Sequence, residues 1–285
     1  MQGEILPIKI DRFEEHIILN KDDIMRYLNS LIKLKDITTN EGEVIEVFEL
    51  SSSIDDIAFR EWAIHFRQNY CSDELLDLLV RGTGMTKQDY LLSQKFPDSN
   101  GGFGPGTRSG DFAELLISDY LEFSFGYIVH RERYKHKFNR NSSTQGTDVI
   151  GFKLVGAKPS SDDEFVTFEV KAQASGKEAK NRLQDAVDDS YKDAVRKGET
   201  LSALKQIYIE KGNFEKASQV ERFQNKPDRP YKEEYGAAAV HDTKTYSELL
   251  IKDVKLNGEK RWMIVIKRDN LMNLIHRLYE VASQC

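Results

Sequence analysis

Glu169 and Lys171 stand two residues apart in the stretch Phe165-Val166-Thr167-Phe168-Glu169-Val170-Lys171-Ala172-Gln173. Read as a β-strand, its period-2 geometry projects Thr167, Glu169 and Lys171 to one side and packs Phe168, Val170 and Ala172 on a core. A carboxylate and an ammonium then share one face. The carboxylate suits a hard divalent cation, and the ammonium suits an anionic oxygen or an attacking water. The pair alone carries little weight, because Glu178-Ala179-Lys180, Asp242-Thr243-Lys244 and Asp253-Val254-Lys255 repeat the acid-x-Lys form. An i, i+2 salt bridge on a solvated strand has the same signature.

Its meaning therefore depends on which other acids the fold brings to it. Thr147 to Leu154 reads as a preceding strand, and the turn-rich Gly156 to Asp163 between the two suggests an antiparallel hairpin. That hairpin places Asp148 across from Lys171, with Glu169 as its diagonal neighbour at roughly 7–8 Å, a gap that a divalent cation spans through side-chain reach. A slip of one residue would turn Asp148 away. Upstream, Ser109 reads as the cap of a helix from Gly110 to Glu122, with Phe112, Leu115, Leu116 and Tyr120 on an apolar stripe widened by Ala113, Ile117 and Leu121. Glu114 falls at the edge of that arc, half buried. Asp119 falls inside it, so an acid on this helix is not by itself functional. Gln173 continues the face of Glu169 and Lys171 and is a candidate to position phosphate.

Candidate anion contacts lie in two places. Tyr127 to Arg133 reads as a strand, and from it Arg131, Arg133, Lys135, His136, Lys137 and Arg140 interleave with Tyr134 and Phe138, a composition suited to phosphates and exposed bases. Pro97 to Arg108, with Gly101, Gly102, Gly104 and Gly106, reads as a hinge or mobile loop. Its backbone N–H groups and Arg108 are candidates to receive a phosphate, although no P-loop pattern is present.

The remaining elements frame these residues. Residues 1 to about 97 read as an accessory, partner-docking region. It holds a helix near Asp22 to Leu34, a strand Val44 to Leu50, and an aromatic segment whose Ile57, Trp62, Ile64, Phe66 and Tyr70 read as core. A helix capped by Ser72 and a Thr86/Asp89 capping pair follow. After the Glu169 strand come a polar helix, Lys177 to Lys197, and a helical hairpin joined at Gly212, an insertion over about 199–225. Strands Gly236 to Val240 and Arg261 to Lys267 complete a sheet, and Asp269 caps a final helix whose Leu271, Leu274, Ile275, Leu278 and Tyr279 cover it.

The 285 residues, 39% hydrophobic and 31% charged, suffice for a sizeable core plus an accessory region. The net charge of −6 argues against non-specific coating of nucleic acid and leaves phosphate contacts to local basic patches. Cys71 and Cys285 have no metal-site or disulfide spacing, which points to a reducing cytoplasm. Met1 to Ile5 lacks a targeting pattern, and no run approaches the roughly 20 apolar residues of a membrane span, so no membrane partner is expected.

The order of helix with Glu114, strand, strand with Asp148, strand with Glu169 and Lys171, helix and further strands resembles the PD-(D/E)xK nuclease superfamily, from about residue 107 to 285. The resemblance implies an α/β, restriction-endonuclease-like mixed sheet flanked by helices. Glu114, Asp148, Glu169 and Lys171 match its catalytic places, and the three acids would be ligands to Mg²⁺, or to Mn²⁺. Gly146-Thr147-Asp148 departs from the motif, with Thr147 where proline is usual. Within the superfamily, the Gly-Thr-Asp strand, the Arg108-to-Glu114 helix start and the N-terminal region are similar to HamA, the nuclease-like subunit family of the Hachiman anti-phage defence system. That likeness implies a DNA substrate, a superfamily 2 helicase partner (HamB), and a metal-dependent DNA endonuclease or nickase. The alternative is a catalytically silent DNA-binding or helicase-regulating adaptor.

The physical logic is that an anionic phosphodiester repels a nucleophile, so hydrolysis needs positive charge at its oxygens and an activated water. Lys171 as an ammonium would orient water or stabilise charge; with a depressed pKa it would act as a base.

Overall fold

The runs Ala237-Ala238-Ala239-Val240 and Met263-Ile264-Val265-Ile266 are apolar on both faces, the pattern of strands covered on two sides. They form the centre of the fold in the computed structural model, which describes residues 26–142 and 146–285. The strands are β1 (Leu31–Lys33), β2 (Ile37–Thr38), β3 (Val44–Leu50), β4 (Ile128–Val129), β5 (Val149–Lys153), β6 (Glu164–Gln173), β7 (Lys232–Asp242) and β8 (Trp262–Arg268). Among the described residues they make one mixed sheet ordered β1-β3-β8-β7-β6-β5-β4, with β2 paired to β3. Strands β3, β8, β7 and β6 run parallel, and the outer pairings are antiparallel.

Helices α1 (Asp56–Tyr70), α2 (Asp73–Val80), α3 (Gly104–Asp119), α4 (Arg182–Ser190), α5 (Asp193–Glu210), α6 (Phe214–Glu221) and α7 (Leu271–Ser283) pack around this sheet. Helices α1, α3 and α7 bury Trp62, Leu116 and Leu278 with Phe168 and Ile264 on one face. On the other, α4 buries Leu183 and Val187 against Ala239 and Val265, while α5 and α6 bury Leu204 and Val220 against Phe152 and Phe165. The stretch expected to be accessory shares this architecture over its described part. Strand β3 pairs with β8, Ile45 opposite Met263, and Trp62, Phe66 and Tyr70 sit in the same cluster as Leu115 and Phe168. No helix among the described residues is long and apolar enough to cross a membrane.

Several boundaries differ from expectation. The helix read at Asp22 to Leu34 is, from Arg26, a 3₁₀ turn and then β1, because Leu31 to Lys33 pair with Phe48 to Leu50; Asp22 to Met25, like Met1 to Ile5, lie outside the described residues. Helix α3 starts at Gly104, not Gly110, with Pro105 in its first turn, where a fixed φ and a missing N–H cost nothing. The second half of the supposed hinge is therefore helix. The strand read over Tyr127 to Arg133 shortens to β4 and gives way to a short helix, Glu132–Lys135. Asp269 is not the cap of α7: Asn270 adopts a left-handed conformation, and Asp242 Oδ2 accepts the Leu271 N–H at 2.8 Å. The long polar helix after β6 divides into a loop, α4 and the start of α5.

One feature of the sheet positions Asp148 and Glu169. Strand β6 pairs with β7 along its whole length, yet with β5 only from Glu164 to Phe168. Beyond Phe168 the β5 edge is open.

Candidate active site

Asp148 sits immediately before β5, where that edge opens, and its Oδ2 accepts the backbone N–H of Val170 at 3.0 Å. The acid thus satisfies a strand donor that has lost its neighbour. Because Val149 pairs with Phe168, continuing the register puts Asp148 opposite Glu169, not opposite Lys171 as the sequence suggested. The hairpin and the shared face are as expected. The offset is two residues, which preserves the side from which each chain projects.

Glu169 is 4% exposed. Its Oε1 accepts from Lys171 Nζ at 2.7 Å, while Oε2 is buried without a hydrogen-bond partner. Burial, with Asp148 nearby, raises its carboxyl to about 7 against the opposing pull of Lys171. Lys171 also meets Asp189 Oδ2 of α4 at 2.7 Å. Burial alone would lower the Lys171 pKa, but the hydrogen bonds to Asp189 and Glu169 outweigh it and hold the pKa above its ordinary value. In this arrangement Lys171 is a cation, not a base.

Glu114 projects from α3 toward the same opening. Its carboxylate pairs with the Arg133 guanidinium and accepts from the Tyr134 hydroxyl at 2.7 Å. Burial, opposed by Arg133 and reinforced by Asp148 and Asp111, pushes its pKa up to about 8. Arg133 also donates to the Thr147 carbonyl at 2.8 Å and lies 3.6 Å from Asp148 Oδ1. Glu114, Arg133, Asp148, Glu169, Lys171 and Asp189 line one cavity of about 840 Å³, whose far wall is α5.

Asp148 and Glu169 form an all-oxygen donor pair, and the unpartnered Oε2 of Glu169 is a buried acceptor lacking a donor or a cation. This fits Mg²⁺, which is commonly held by one or two carboxylates, with water and substrate phosphate completing the shell. Glu114 does not complete a three-acid set here, because Arg133 and Tyr134 engage its carboxylate. Among the described residues no three His, Cys, Asp or Glu side chains converge as a ready-made metal cage.

The other expected site residues are directed elsewhere. Gln173 donates to the Glu178 carbonyl at 2.8 Å and accepts from the Lys180 N–H at 3.1 Å, bracing the loop after β6. Arg108 donates to the Pro97 carbonyl at 2.6 Å and lies 4.5 Å from the centre of the Tyr279 ring. Arg131 binds Asp119 at 2.7 Å and also Glu122, and Lys137 binds Asp111 at 2.6 Å. Arg140 donates to the carbonyls of Leu92 and Phe96 and pairs with Asp98. Lys135, half buried at the end of the short helix, does not line the cavity. The basic stretch is thus turned inward. Buried acids such as Asp111 and Asp119 would be costly unpaired, and these cations are what pair them.

Two acids went unnoticed in the sequence. Asp189 holds Lys171, and the fully buried Asp193 accepts from the Thr147 hydroxyl at 3.1 Å with its other oxygen unpartnered. Burial, opposed by the Thr147 hydrogen bond and reinforced by Asp148, raises Asp193 to about 6. Both residues read as solvent-facing positions of one long helix until the break near Tyr191 is known.

A protein-family model described as HamA matches residues 25–282. No curated protein matches the chain.

Proposed function

The chain belongs to the HamA family, and from that premise we propose that it is the nuclease subunit of a Hachiman-type anti-phage defence system, hydrolysing DNA phosphodiesters in a metal-dependent reaction in the cytoplasm. Membership supports involvement in that kind of defence. The order α3, β4, β5, β6, α4, β7 is the basis for assigning the core to the restriction-endonuclease-like PD-(D/E)xK superfamily. A superfamily 2 helicase, HamB, is the proposed partner.

The observation that carries the reading is the Asp148–Val170 hydrogen bond, which fixes Asp148 beside Glu169, whose Oε2 is buried without a hydrogen-bond partner. Asp148 and Glu169 would hold Mg²⁺ or Mn²⁺. Bound there, the ion would supply positive charge beside the scissile phosphate and favour ionisation of water. Lys171, kept protonated by Glu169 and Asp189, presents an ammonium to the phosphate oxygens and stabilises charge that builds on them. Asp189, on the cavity wall, positions Lys171. Arg133 supplies a second fixed cation between Glu114 and Asp148.

The adaptor reading also has an observation behind it: Arg133 and Lys171 already neutralise the acids from within. Glu169→Ala separates the two. For a nuclease, the wild type cuts DNA and the variant does not, while DNA binding persists or tightens. For an adaptor, neither cuts, and helicase or DNA binding responds to the substitution.

A further inference from the structure

The loop of residues 174–181 between β6 and α4 walls a second hollow, of about 390 Å³. Ser109 and Ala172 line both this hollow and the one at Glu169, so the two adjoin along the end of β6. Lys177 and Lys180 line it, are exposed, and make no side-chain hydrogen bond or ion pair among the described residues. Arg196, on the α5 wall of the first cavity, likewise makes none. The contrast with Arg131, Lys137 and Arg140, each paired internally, is direct.

The loop that carries these lysines is pre-shaped. Gln173 holds it through the Glu178 carbonyl and the Lys180 N–H, and Thr245 Oγ1 donates to the Gln173 carbonyl at 3.2 Å. Gly176 turns the loop with φ +127, in the region that favours glycine. On this braced loop two exposed lysines without ion pairs outnumber the one acid, Glu178, and form a local field that attracts anions in a chain of charge −6. Gln173 lies two residues past Lys171, about 7 Å along the strand. A nucleic-acid strand advances about 3.4 Å per phosphate along its axis. A backbone with one phosphate at Lys171 therefore reaches the loop within about two nucleotides.

We propose that Lys177, Lys180 and Arg196 form the track for the phosphodiester backbone of the strand being processed, running from the α5 wall across the Asp148–Glu169 opening to the β6–α4 loop. This deepens the nuclease reading, on which its choice of DNA rests. The track recognises phosphate and not bases, since its groups are point charges and one guanidinium without a base-reading partner.

The test is equilibrium binding of a labelled DNA oligonucleotide, single-stranded and duplex, to the full chain in EDTA over a series of salt concentrations, with an RNA strand in parallel. The Lys177→Ala/Lys180→Ala variant should bind DNA roughly tenfold or more weakly at low salt. Its log-affinity against log-salt slope should be shallower by about 1.5, since each lost phosphate contact removes about 0.7–0.9. The control Lys255→Ala/Lys260→Ala, which removes the same charge from exposed positions outside both hollows, should change neither by a comparable amount. Weaker RNA binding by the same factor would show a track read through phosphate alone. Equal effects of the two double variants, an unchanged slope, a wild type that does not bind DNA, or an effect confined to helicase association would overturn the proposal. Because binding is read without divalent metal, wild-type cleavage alongside an unaffected lysine variant defeats the track and spares the nuclease. Slope loss in a chain that never cuts DNA does the reverse.

Discussion

The carboxylate of Asp148 accepts the Val170 N–H at 3.0 Å, in the place where β6 loses β5 as a partner. One residue thereby closes the sheet edge and aligns an acid with Glu169. The same short break in pairing opens the cavity between α3 and α5. The geometry of the candidate site and the satisfaction of the backbone rest on one side chain here, and the choice of substitution separates them.

Asp148→Asn keeps an oxygen that accepts from Val170, whereas Asp148→Ala leaves that N–H unsatisfied. The alanine variant should lose about 1–3 kcal/mol of unfolding free energy and the asparagine variant much less. Thermal melts with and without Mg²⁺ check both halves: Mg²⁺ should raise the melting temperature of wild type and leave Asp148→Asn unmoved.

Glu169 makes the metal-free fold lose stability as pH rises from about 4.5 to about 7. Its ordinary pKa is 4.5, and burial with Asp148 beside it pushes it up to about 7. Below pH 4.5 the group is protonated folded or unfolded and contributes nothing. As pH rises from there, the unfolded chain releases the proton first, so stability falls until the folded carboxyl also ionises near pH 7, and then levels. Glu169→Gln removes this loss. In urea titrations without metal, the variant should match wild type at pH 4 and exceed it at pH 8. A variant less stable than wild type at pH 8 would contradict the assignment.

Arg133 should matter most where Glu114 is charged. Removing one member of a largely buried pair typically costs about 3–5 kcal/mol. The folded pKa of Glu114, raised to about 8, rises further once the guanidinium is gone. Arg133→Ala is therefore expected to be strongly destabilising at pH 9 and milder at pH 6, where Glu114 is neutral. Chemical denaturation at the two pH values measures the difference, and an equal loss at both would show that packing on Tyr134, not charge, is the contribution of Arg133.

Acid acts through the buried histidines. Burial lowers His241 to about 4, with Arg182 adding to the shift, and neither ring nitrogen has a hydrogen-bond partner. Between pH 6.5 and about 4 the unfolded chain binds a proton that the folded one refuses, so stability falls as pH falls, by about 1.4 kcal/mol per pH unit. His241→Leu should flatten that limb by about this slope in denaturation curves taken from pH 7 to pH 4.5.

Much of this was legible in the chain itself, for identifiable reasons. The bounds of β3, the Ser72 and Thr86 caps and the buried face of α7 depend on neighbours close in sequence, and all stand in the structure; β6 puts Phe168 and Val170 in the core as expected but buries Thr167 and Glu169 as well. The register of Asp148 was missed by two residues because a turn-rich loop does not declare its own length. The start of α3 was missed because glycines suggest a loop unless Pro105 is taken as a first-turn residue. The basic stretch was misread for a deeper reason. Whether Lys137 and Arg131 face phosphate or protein depends on Asp111 and Asp119, acids of another element that only the fold brings near. Asp189 was invisible for the same reason. Lys177 and Lys180, the cations left without an ion pair, read in the sequence as plausible phosphate contacts at the start of a helix, a position where lysines more often simply face solvent.

The most direct measurement is cleavage of supercoiled and linear DNA by the purified chain, alone and with the proposed helicase partner and ATP, in Mg²⁺ and in EDTA, with Lys171→Ala beside wild type. A nuclease built on Asp148, Glu169 and Lys171 cuts in Mg²⁺, stops in EDTA, and loses about 10² or more of its rate when the ammonium that stabilises phosphate charge is removed. Intact DNA in every condition, or cutting that survives both EDTA and Lys171→Ala, would contradict it.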